Sequence, residues 1–256
     1  MGDELLCERR GSALWLTLNR LEVHNALNAA VTRSLVEAFE QVSLDPTLRA
    51  VVLTGTGERS FCSGADLKES AGGVFRSDDG GNPIAGVLNA IETCEKLVIA
   101  RINGSVLAGG LGLVAACDLA YAARHANFGL PEVRVGLFPM MVAARLMPKI
   151  TLRHLQEMAY LGESIDAATA LQYGLINGIA PVGDLDELIA NVLEKLARNS
   201  TEAISAGKQA LRDMRGMTTP EMFALAERRI AEIAETDDAR EGRAAFAEKR
   251  KPRWSE

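Results

Sequence analysis

The 256-residue sequence has few aromatic residues and no long apolar run. Phe, Trp and Tyr make up 5% of the chain while hydrophobic residues make up 48%, so a buried core would be packed mainly by Ala, Leu, Val and Ile. No stretch reaches the roughly 18 uninterrupted apolar residues of a membrane-spanning helix. The N-terminal segment MGDELLCERR contains acids and lacks the apolar centre of a secretory signal. We therefore expect a cytoplasmic protein that does not enter a membrane.

Cysteine is sparse as well. Cys7, Cys62, Cys94 and Cys117 are far apart in the sequence, without the short paired spacings that zinc sites and redox-active dithiols require. The sequence therefore predicts reduced, buried thiols and no metal site.

Basic residues are fewer than acidic ones. The chain has 28 Lys and Arg against 34 Asp and Glu, a formal net charge of −6, which argues against nucleic acid as a partner. The exception is the C-terminal tail, where Lys249, Arg250, Lys251 and Arg253 lie close together. This cluster is interpreted either as a solvated surface or as an arm that binds phosphate.

Strands and helices alternate through the first half of the chain. The turn residues Gly11 and Ser12 separate two predicted strands and so indicate a hairpin. Asn25 or Asn28 is expected to cap the first helix, which ends before Asp45. This alternation predicts an α/β fold with parallel strands and right-handed crossovers. Predicted strands span 5–9, 13–19, 49–54, 97–102 and 119–123, and further predicted helices span 83–96 and 109–116.

The second half of the chain is mainly helical, with one short strand predicted at 175–180. Because so many helices cannot all cover one sheet, some are expected to pack on another copy of the chain, which indicates a homo-oligomer. The predicted helices span 140–147, 152–161, 166–173, 185–198, 201–214, 220–235 and 238–249.

The stretch from residue 103 to 132, NGSVLAGGLGLVAACDLAYAARHANFGLPE, contains the first candidate site. Adjacent Gly109 and Gly110 inside an apolar run indicate a helix start, whose free N–H groups can stabilise an oxyanion. Glu132 follows Pro131 among apolar neighbours, where loss of solvation would raise its pKa and make it a candidate acid or base. The alternative is that the glycines only allow close packing and that Glu132 lies on the surface.

A second candidate segment runs from residue 55 to 66. Gly64 permits an unusual backbone turn that would direct the N–H of Ala65 toward a ligand, and an ordinary connection between a strand and a helix fits equally well. The glycine-rich residues 70–82 are expected to form a surface loop over a pocket. Side chains of that loop, with Phe138, Met140 and Met141, are expected to set ligand specificity.

Four segments resemble the crotonase family, also called the enoyl-CoA hydratase/isomerase superfamily. They are NRLEVHNAL at 19–27, RAVVLTGTGERSFCSGADL at 49–67, NGSVLAGGLGLVAACDLAYAA at 103–123 and FGLPEVRVGLFP at 128–139, in the order and spacing of the family. The resemblance implies a crotonase-like ββα spiral core, assigned to residues 1–198. It also implies a C-terminal helical region, assigned to 199–256, that forms homotrimers, often paired into hexamers.

Residue by residue, the resemblance places the N–H groups of Ala65 and Gly109 in an oxyanion hole for the thioester carbonyl of an acyl-CoA. Glu132 would be the catalytic acid or base. Coenzyme A would be part of the substrate, so no separate cofactor is expected, and the basic tail would contribute to binding its phosphates. The expected substrate-binding residues, including those along the CoA channel, are Glu22, Val23, His24, Gly64, Asp66, Leu67, Gly110 and Gly112.

Gly112 departs from the family pattern. Family hydratases usually have a glutamate at this position in addition to the one that Glu132 matches, and glycine supplies no carboxylate. A single glutamate can still take a proton from water and return it to C2, and the segments FGLPE and GLFP are closer to hydratases of branched or glutaconyl-type CoA thioesters. We therefore expect a hydratase. The alternatives are a Δ3,Δ2-enoyl-CoA isomerase, which needs only one base, and a non-catalytic acyl-CoA-binding protein.

Overall fold

Two β-sheets form the framework of the computed structural model, which describes residues 3–68, 81–181 and 183–255. The loop predicted at 70–82 lies almost entirely outside the described residues. The strands are β1 (Leu5–Arg10), β2 (Ala13–Leu18), β3 (Ala50–Gly55), β4 (Ser60–Cys62), β5 (Leu97–Ile102), β6 (Ser105–Leu107), β7 (Leu119–Ala123), β8 (Asn127–Gly129), β9 (Ser164–Asp166) and β10 (Gly178–Ala180).

The larger sheet has the strand order β1-β2-β3-β5-β7-β10. Strands β1 and β2 form the predicted antiparallel hairpin, and the other neighbouring strands are parallel. All six residues of β3 are buried, as expected for a parallel strand that is covered on both faces. This sheet confirms the predicted α/β fold class.

The smaller sheet has the order β4-β6-β8-β9, in which β4, β6 and β8 are parallel and β9 is antiparallel to β8. The sequence does not predict these strands, because a three-residue strand is too short to show a periodic pattern. The carboxyl ends of neighbouring parallel strands lie at the same edge of a sheet. The segments that follow β4, β6 and β8 therefore meet, and they contain Ala65, Gly109 and Glu132.

The helices begin close to the predicted positions. Asn28 is the cap of the first helix, since its side-chain oxygen accepts a hydrogen bond from the N–H of Val31 at 2.8 Å. The second helix ends before residue 96, because Cys94 leaves the helical conformation to lead into β5. The helices are α1 (Ala29–Leu44), α2 (Pro83–Thr93), α3 (Gly109–Ala116), α4 (Met140–Leu146), α5 (Leu152–Leu161), α6 (Ala167–Gln172), α7 (Leu185–Ala197), α8 (Thr201–Asp213), α9 (Thr219–Ala234) and α10 (Asp237–Glu248).

Helix α3 lies in the centre of the core, since all eight of its residues are buried. Gly110 is required for this placement, because a Cβ atom there would lie 2.4 Å from the carbonyl oxygen of Cys62 in β4. Phe39, Phe61 and Phe128 are among the largest side chains that are fully buried around it. Close packing of α3 on β4 thus brings the N-terminus of the helix beside the residues that follow β4.

The last three helices are anchored to the core of the same chain. The guanidinium of Arg49 donates hydrogen bonds to the carbonyl oxygens of Ala197 at 2.8 Å and Asn199 at 3.0 Å. The ammonium of Lys208 in α8 lies 2.7 Å from the carboxylate of Asp118. The division into a core and a helical region at residue 198 stays a prediction. Among the described residues, no helix combines the length and the apolar character that crossing a membrane requires.

Candidate active site

The turn between β6 and α3 exposes the first amide of α3. Ala108 adopts φ 51° and ψ −126°, and its own N–H donates to the carbonyl oxygen of Gly129 at 3.0 Å. The N–H of Leu111 donates to the carbonyl of Ala108 at 2.9 Å. Within the described residues the N–H of Gly109 has no hydrogen-bond acceptor, as expected for the first residue of a helix. This N–H is therefore available to a ligand.

A second free amide lies beside the first. Leu27 bridges the loop after β4, since its N–H donates to the carbonyl of Gly64 at 2.7 Å and its carbonyl accepts from the N–H of Asp66 at 2.8 Å. The N–H of Ala65, between these two residues, has no acceptor in the described part of the chain. Its nitrogen lies 3.7 Å from the position that a Cβ atom on Gly109 would occupy. The two free N–H groups are thus neighbours.

Gly64 makes this approach possible. Its φ of +94° favours glycine, and a Cβ atom there would lie 2.7 Å from the Cβ of Ala108 and 3.0 Å from the nitrogen of Gly109. The prediction that Gly64 forms an unusual turn is confirmed by this φ angle.

An open cleft of about 630 Å³ lies in front of the two amides. Its surface is mostly apolar, so a polar group inside it has few alternative partners. Its lining includes Ser63, Ala65, Leu67, Asn82, Ile84, Ala108, Gly109, Pro131, Glu132, Arg134, Val135, Leu137, Phe138, Pro139, Met140, Met141 and Val142.

Glu132 lies in a short 3-10 helix, Pro131–Val135, and its carbonyl accepts a hydrogen bond from the N–H of Leu137 at 3.0 Å. Burial raises the pKa of its carboxyl group above the ordinary value for glutamate. In the described residues its Oε2 atom is buried and has no hydrogen-bond partner. A desolvated carboxylate with one unpaired oxygen is suited to accept a proton and to return it.

Gly112 lies one turn into α3 and is buried, outside the lining of the cleft. A Cβ atom there would lie 3.2 Å from a methyl group of Val142 and 3.3 Å from two methyl groups of Leu88. Among the described residues that line the cleft, Glu132 is the only one with a carboxylate.

The residues expected along the CoA channel differ in whether they line the cleft. Leu67 lines the cleft, whereas Val23 and His24 lie one layer behind it. The carbonyl of Val23 accepts a hydrogen bond from the hydroxyl of Ser63 at 3.2 Å, and the carbonyl of His24 accepts one from its N–H at 3.1 Å. Glu22, like Gly110, does not line the cleft.

Asp66 is engaged away from the cleft. Its carboxylate lies 3.0 Å from the guanidinium of Arg20, and both side chains are 8% exposed. Its Oδ1 accepts a hydrogen bond from the N–H of Lys68 at 3.1 Å. This ion pair fixes the loop that carries Ala65.

The basic tail is partly neutralised within the chain. The carboxylate of Glu241 lies 2.5 Å from the guanidinium of Arg250 and 3.2 Å from that of Arg253. Lys249 and Lys251 are exposed. The interpretation as a solvated or phosphate-binding cluster therefore fits these two lysines best, while the two arginines also bind Glu241 of α10, Arg253 with a side chain that is 81% exposed.

The sequence does not single out four residues that line the cleft, namely Ser63, Ile84, Arg134 and Val142. Arg134 could be found from the sequence, because it lies two residues after Glu132 in the segment that begins at Pro131. Ile84 and Val142 have none, because only the packing of α2 and α4 against α3 brings them to the cleft. No group of His, Cys, Asp or Glu that is suited to a metal ion occurs among the described residues.

Two free amides and a desolvated carboxylate that share an apolar cleft define a site for general acid and base chemistry beside a stabilised oxyanion. A family model described as enoyl-CoA hydratase/isomerase matches residues 8–256. Carnitinyl-CoA dehydratase of Proteus mirabilis is 32% identical over 264 residues, 99% of each chain. (E)-Benzylidenesuccinyl-CoA hydratase of Thauera aromatica is 34% identical over 245 residues, 93% of each chain. The crystal structure of an enoyl-CoA hydratase of Mycobacterium smegmatis is similar with a TM-score of 0.91 and 32% identity, covering 100% of both chains.

The chain therefore belongs to the enoyl-CoA hydratase/isomerase family, the crotonase family of the sequence resemblance, and it is an enzyme of that family. Its fold is the crotonase fold, which confirms the fold expected from the four sequence segments. A non-catalytic acyl-CoA-binding protein, one of the alternatives left open by the sequence, is set aside.

Proposed function

We propose that this enzyme adds water to the double bond of a 2-enoyl-CoA thioester, and catalyses the reverse dehydration. The observation that carries the proposal is the shared cleft of Ala65, Gly109 and Glu132, in which two N–H groups and one carboxylate oxygen lack partners among the described residues. Hydratase and dehydratase names among the similar proteins support the same reaction type. Coenzyme A is then part of the substrate, and the proposal includes no separate cofactor.

The proposed reaction assigns one role to each group. The N–H groups of Ala65 and Gly109 bind the thioester carbonyl oxygen, which gains negative charge as an enolate forms. The oxygen of a water molecule bonds to C3 while Glu132 takes one of its protons. Glu132 then delivers that proton to C2, so the product contains one added water and the carboxylate is regenerated. Loss of one donor of such a hole typically raises the barrier by about 3 kcal/mol.

An isomerase is the second candidate, because Glu132 is the only carboxylate among the described residues of the cleft lining. Moving a double bond from C3 to C2 needs one base, which removes a proton at C2 and returns it at C4. Gly112 favours this candidate, because glycine supplies no second carboxylate to orient water, and a Cβ atom there would meet only methyl groups of Val142 and Leu88.

Isotope labelling distinguishes the two reactions. The enzyme is incubated with 2-enoyl-CoA and 3-enoyl-CoA of matched chain length in water enriched in heavy oxygen. The hydratase proposal predicts a 3-hydroxyacyl-CoA that carries the label. Unlabelled 2-enoyl-CoA formed from 3-enoyl-CoA, without any hydroxyacyl product, would instead establish the isomerase.

We further propose that the enzyme is a homotrimer or a hexamer. Helices α8, α9 and α10 leave large apolar side chains exposed, and such surfaces are typical of subunit contacts. Sedimentation velocity measures the assembly directly, and a monomer at micromolar concentration would contradict the proposal. The exposed residues are Leu211, Phe223, Ile230 and Phe246.

A further inference from the structure

Among the described residues that line the cleft, Arg134 is the only one with a cationic side chain. The wall around it is apolar and includes Val135, Leu137 and Phe138. A positive charge on an apolar wall is expected to select a ligand by charge, because neighbouring side chains offer it no competing partner.

The side chain of Arg134 forms no hydrogen bond or ion pair with residues 3–68, 81–181 or 183–255, a feature that it shares with Arg153 on α5, which does not line the cleft. Arg101, for comparison, lies 2.6 Å from Asp186, and Arg145 pairs with Glu92. An arginine without an internal partner keeps all its donors for another acceptor, and its planar guanidinium binds a carboxylate through two parallel hydrogen bonds.

The backbone and the side-chain stem of Arg134 are held in place. The residue lies in the same 3-10 helix as Glu132, whose carbonyl closes the turn with the N–H of Leu137. A Cβ atom on Gly162, at the end of α5, would lie 3.3 Å from the Nε atom of Arg134 and 3.5 Å from its Cγ atom. The guanidinium therefore lies at the rim of the cleft where α5 ends.

The location of Arg134 separates it from the reacting carbons and from the expected CoA channel. Burial is the main cause of the raised pKa of Glu132, and Arg134 is not among the charges that change it. Leu67 and Ser63, beside the expected CoA channel, follow β4, whereas Arg134 follows β8, and β6 lies between these two strands. In strand order, Gly109 after β6 therefore stands between Arg134 and the segment that is expected to contact the CoA moiety.

We propose that Arg134 binds a carboxylate at the distal end of the acyl chain, so that the preferred substrates are 2-enoyl-CoA thioesters of dicarboxylic acids. This inference rests on the proposed function and deepens it by naming the substrate class. Arg134 acts as a specificity-determining residue, and an acyl chain that ends in a cationic group is disfavoured by repulsion.

A set of four synthetic thioesters tests this assignment. A 2-enoyl chain with a terminal carboxylate and its methyl ester are each attached to CoA and to pantetheine, which lacks the CoA phosphates. Hydration is measured with the wild-type enzyme and with Arg134→Met, Arg134→Lys and the control Arg153→Met, which removes an exposed charge on α5. Because Arg134 is exposed at the rim and solvent screens its charge, Arg134→Met is expected to lower kcat/KM for the acid by about 3- to 5-fold.

The pattern of losses decides the assignment. The proposal requires that Arg134→Met affects the acid on both carriers, that Arg134→Lys retains part of the preference, and that the ester and Arg153→Met change less than about twofold. An equal loss for acid and ester on CoA, with pantetheine thioesters unaffected, would show that Arg134 binds a CoA phosphate and would overturn the proposal. Equal wild-type kcat/KM for acid and ester would also overturn it.

Failure of the proposed function gives a different result. If the wild-type enzyme hydrates none of the four thioesters, the hydratase assignment is refuted while Arg134 is still tested by binding. For that measurement, saturated acyl-CoA with a terminal carboxylate and its methyl ester are titrated calorimetrically. If Arg134→Met leaves the Kd of the acid unchanged, binding of the carboxylate by Arg134 is refuted.

Discussion

The substitution Gly64→Ala tests whether the two free amides act together. The added methyl carbon would lie 2.7 Å from the Cβ of Ala108 and 3.0 Å from the nitrogen of Gly109, whereas carbon atoms in contact are separated by about 3.5–4.0 Å. The loop and the helix start must therefore separate by roughly 1 Å. Because a displacement of that size at a reacting geometry costs about 100-fold in rate, we expect kcat to fall by about 10² to 10³.

Backbone strain must be separated from loss of the oxyanion hole. Gly183 has φ +92°, nearly the same as the +94° of Gly64, and a Cβ atom there has no neighbour within 4 Å. Gly183→Ala therefore carries the same conformational penalty, about 1–3 kcal/mol, without moving the two amides. Both variants are expected to unfold at lower temperature than the wild type, while only Gly64→Ala loses turnover.

Steady-state hydration of a 2-enoyl-CoA gives kcat for each variant, and circular dichroism establishes that each is folded at the assay temperature. A folded Gly64→Ala enzyme whose kcat stays within about threefold of the wild type, well below the loss typical for a displaced donor, would refute the role of the paired amides. An equal loss of kcat in Gly183→Ala would attribute the effect to general strain instead.

Three further predictions concern the carboxylates and the tail. Glu132→Gln should lower kcat by about 10² to 10⁴ with little change in Kd for a saturated acyl-CoA. Burial raises the pKa of Glu132, and its basic form is needed, so wild-type kcat/KM should fall on acidification at a higher pH than for an ordinary glutamate; a Gln variant with the same acid limb would contradict this. Glu241→Gln should lower the melting temperature at neutral pH, because hydrogen bonds from Arg250 and Arg253 hold the pKa of Glu241 at about 2. That difference should diminish as pH falls from about 4.5 toward 2, because the carboxylate of the unfolded chain takes up a proton over this range while the native carboxylate stays ionised until the pH approaches 2. A difference that is undiminished at pH 2 would refute the reasoning. Replacing Lys249 and Lys251 by Gln should raise KM for acyl-CoA more at low than at high salt, and an unchanged KM would exclude the tail from CoA binding.

The main sheet and the helices follow from local sequence patterns. The helix predicted at 109–116 and the strands predicted at 97–102 and 119–123 have the bounds found in the structure. Buried parallel strands appear in the sequence as continuous apolar runs of five or six residues, and the adjacent glycines mark the start of the buried helix α3, which explains this agreement. The smaller sheet lacks such a signal, because each strand has three residues and is stabilised by its neighbours rather than by its own composition.

The sequence indicates the backbone features of the candidate site better than it indicates the side chains that line the cleft. Gly64 indicates an unusual turn and the pair Gly109 and Gly110 a helix start, where free amides are expected beside the alternative of close packing, and Pro131 marks the turn that carries Glu132. The cleft wall comes from α2 and α4, whose positions depend on packing over distances that sequence periodicity does not encode. The same limit applies to Asp66, since its ion pair with Arg20 depends on how two distant loops meet.

Backbone distortions lie on both sides of the proposed oxyanion hole. Gly64 has φ +94° on one side, and Ala108 has φ +51° on the other, where a non-glycine residue costs of the order of 1–3 kcal/mol. The hydrogen bond from Ala108 to Gly129 and the buried start of α3 offset that cost before any ligand is present. Because the donors are already oriented, the proposed enolate oxygen would be stabilised without reorganising the protein, and this preorganisation is where an oxyanion hole gains most of its effect on the barrier. The strained backbone at Ala108 and the turn at Gly64 thus both orient the same pair of amides.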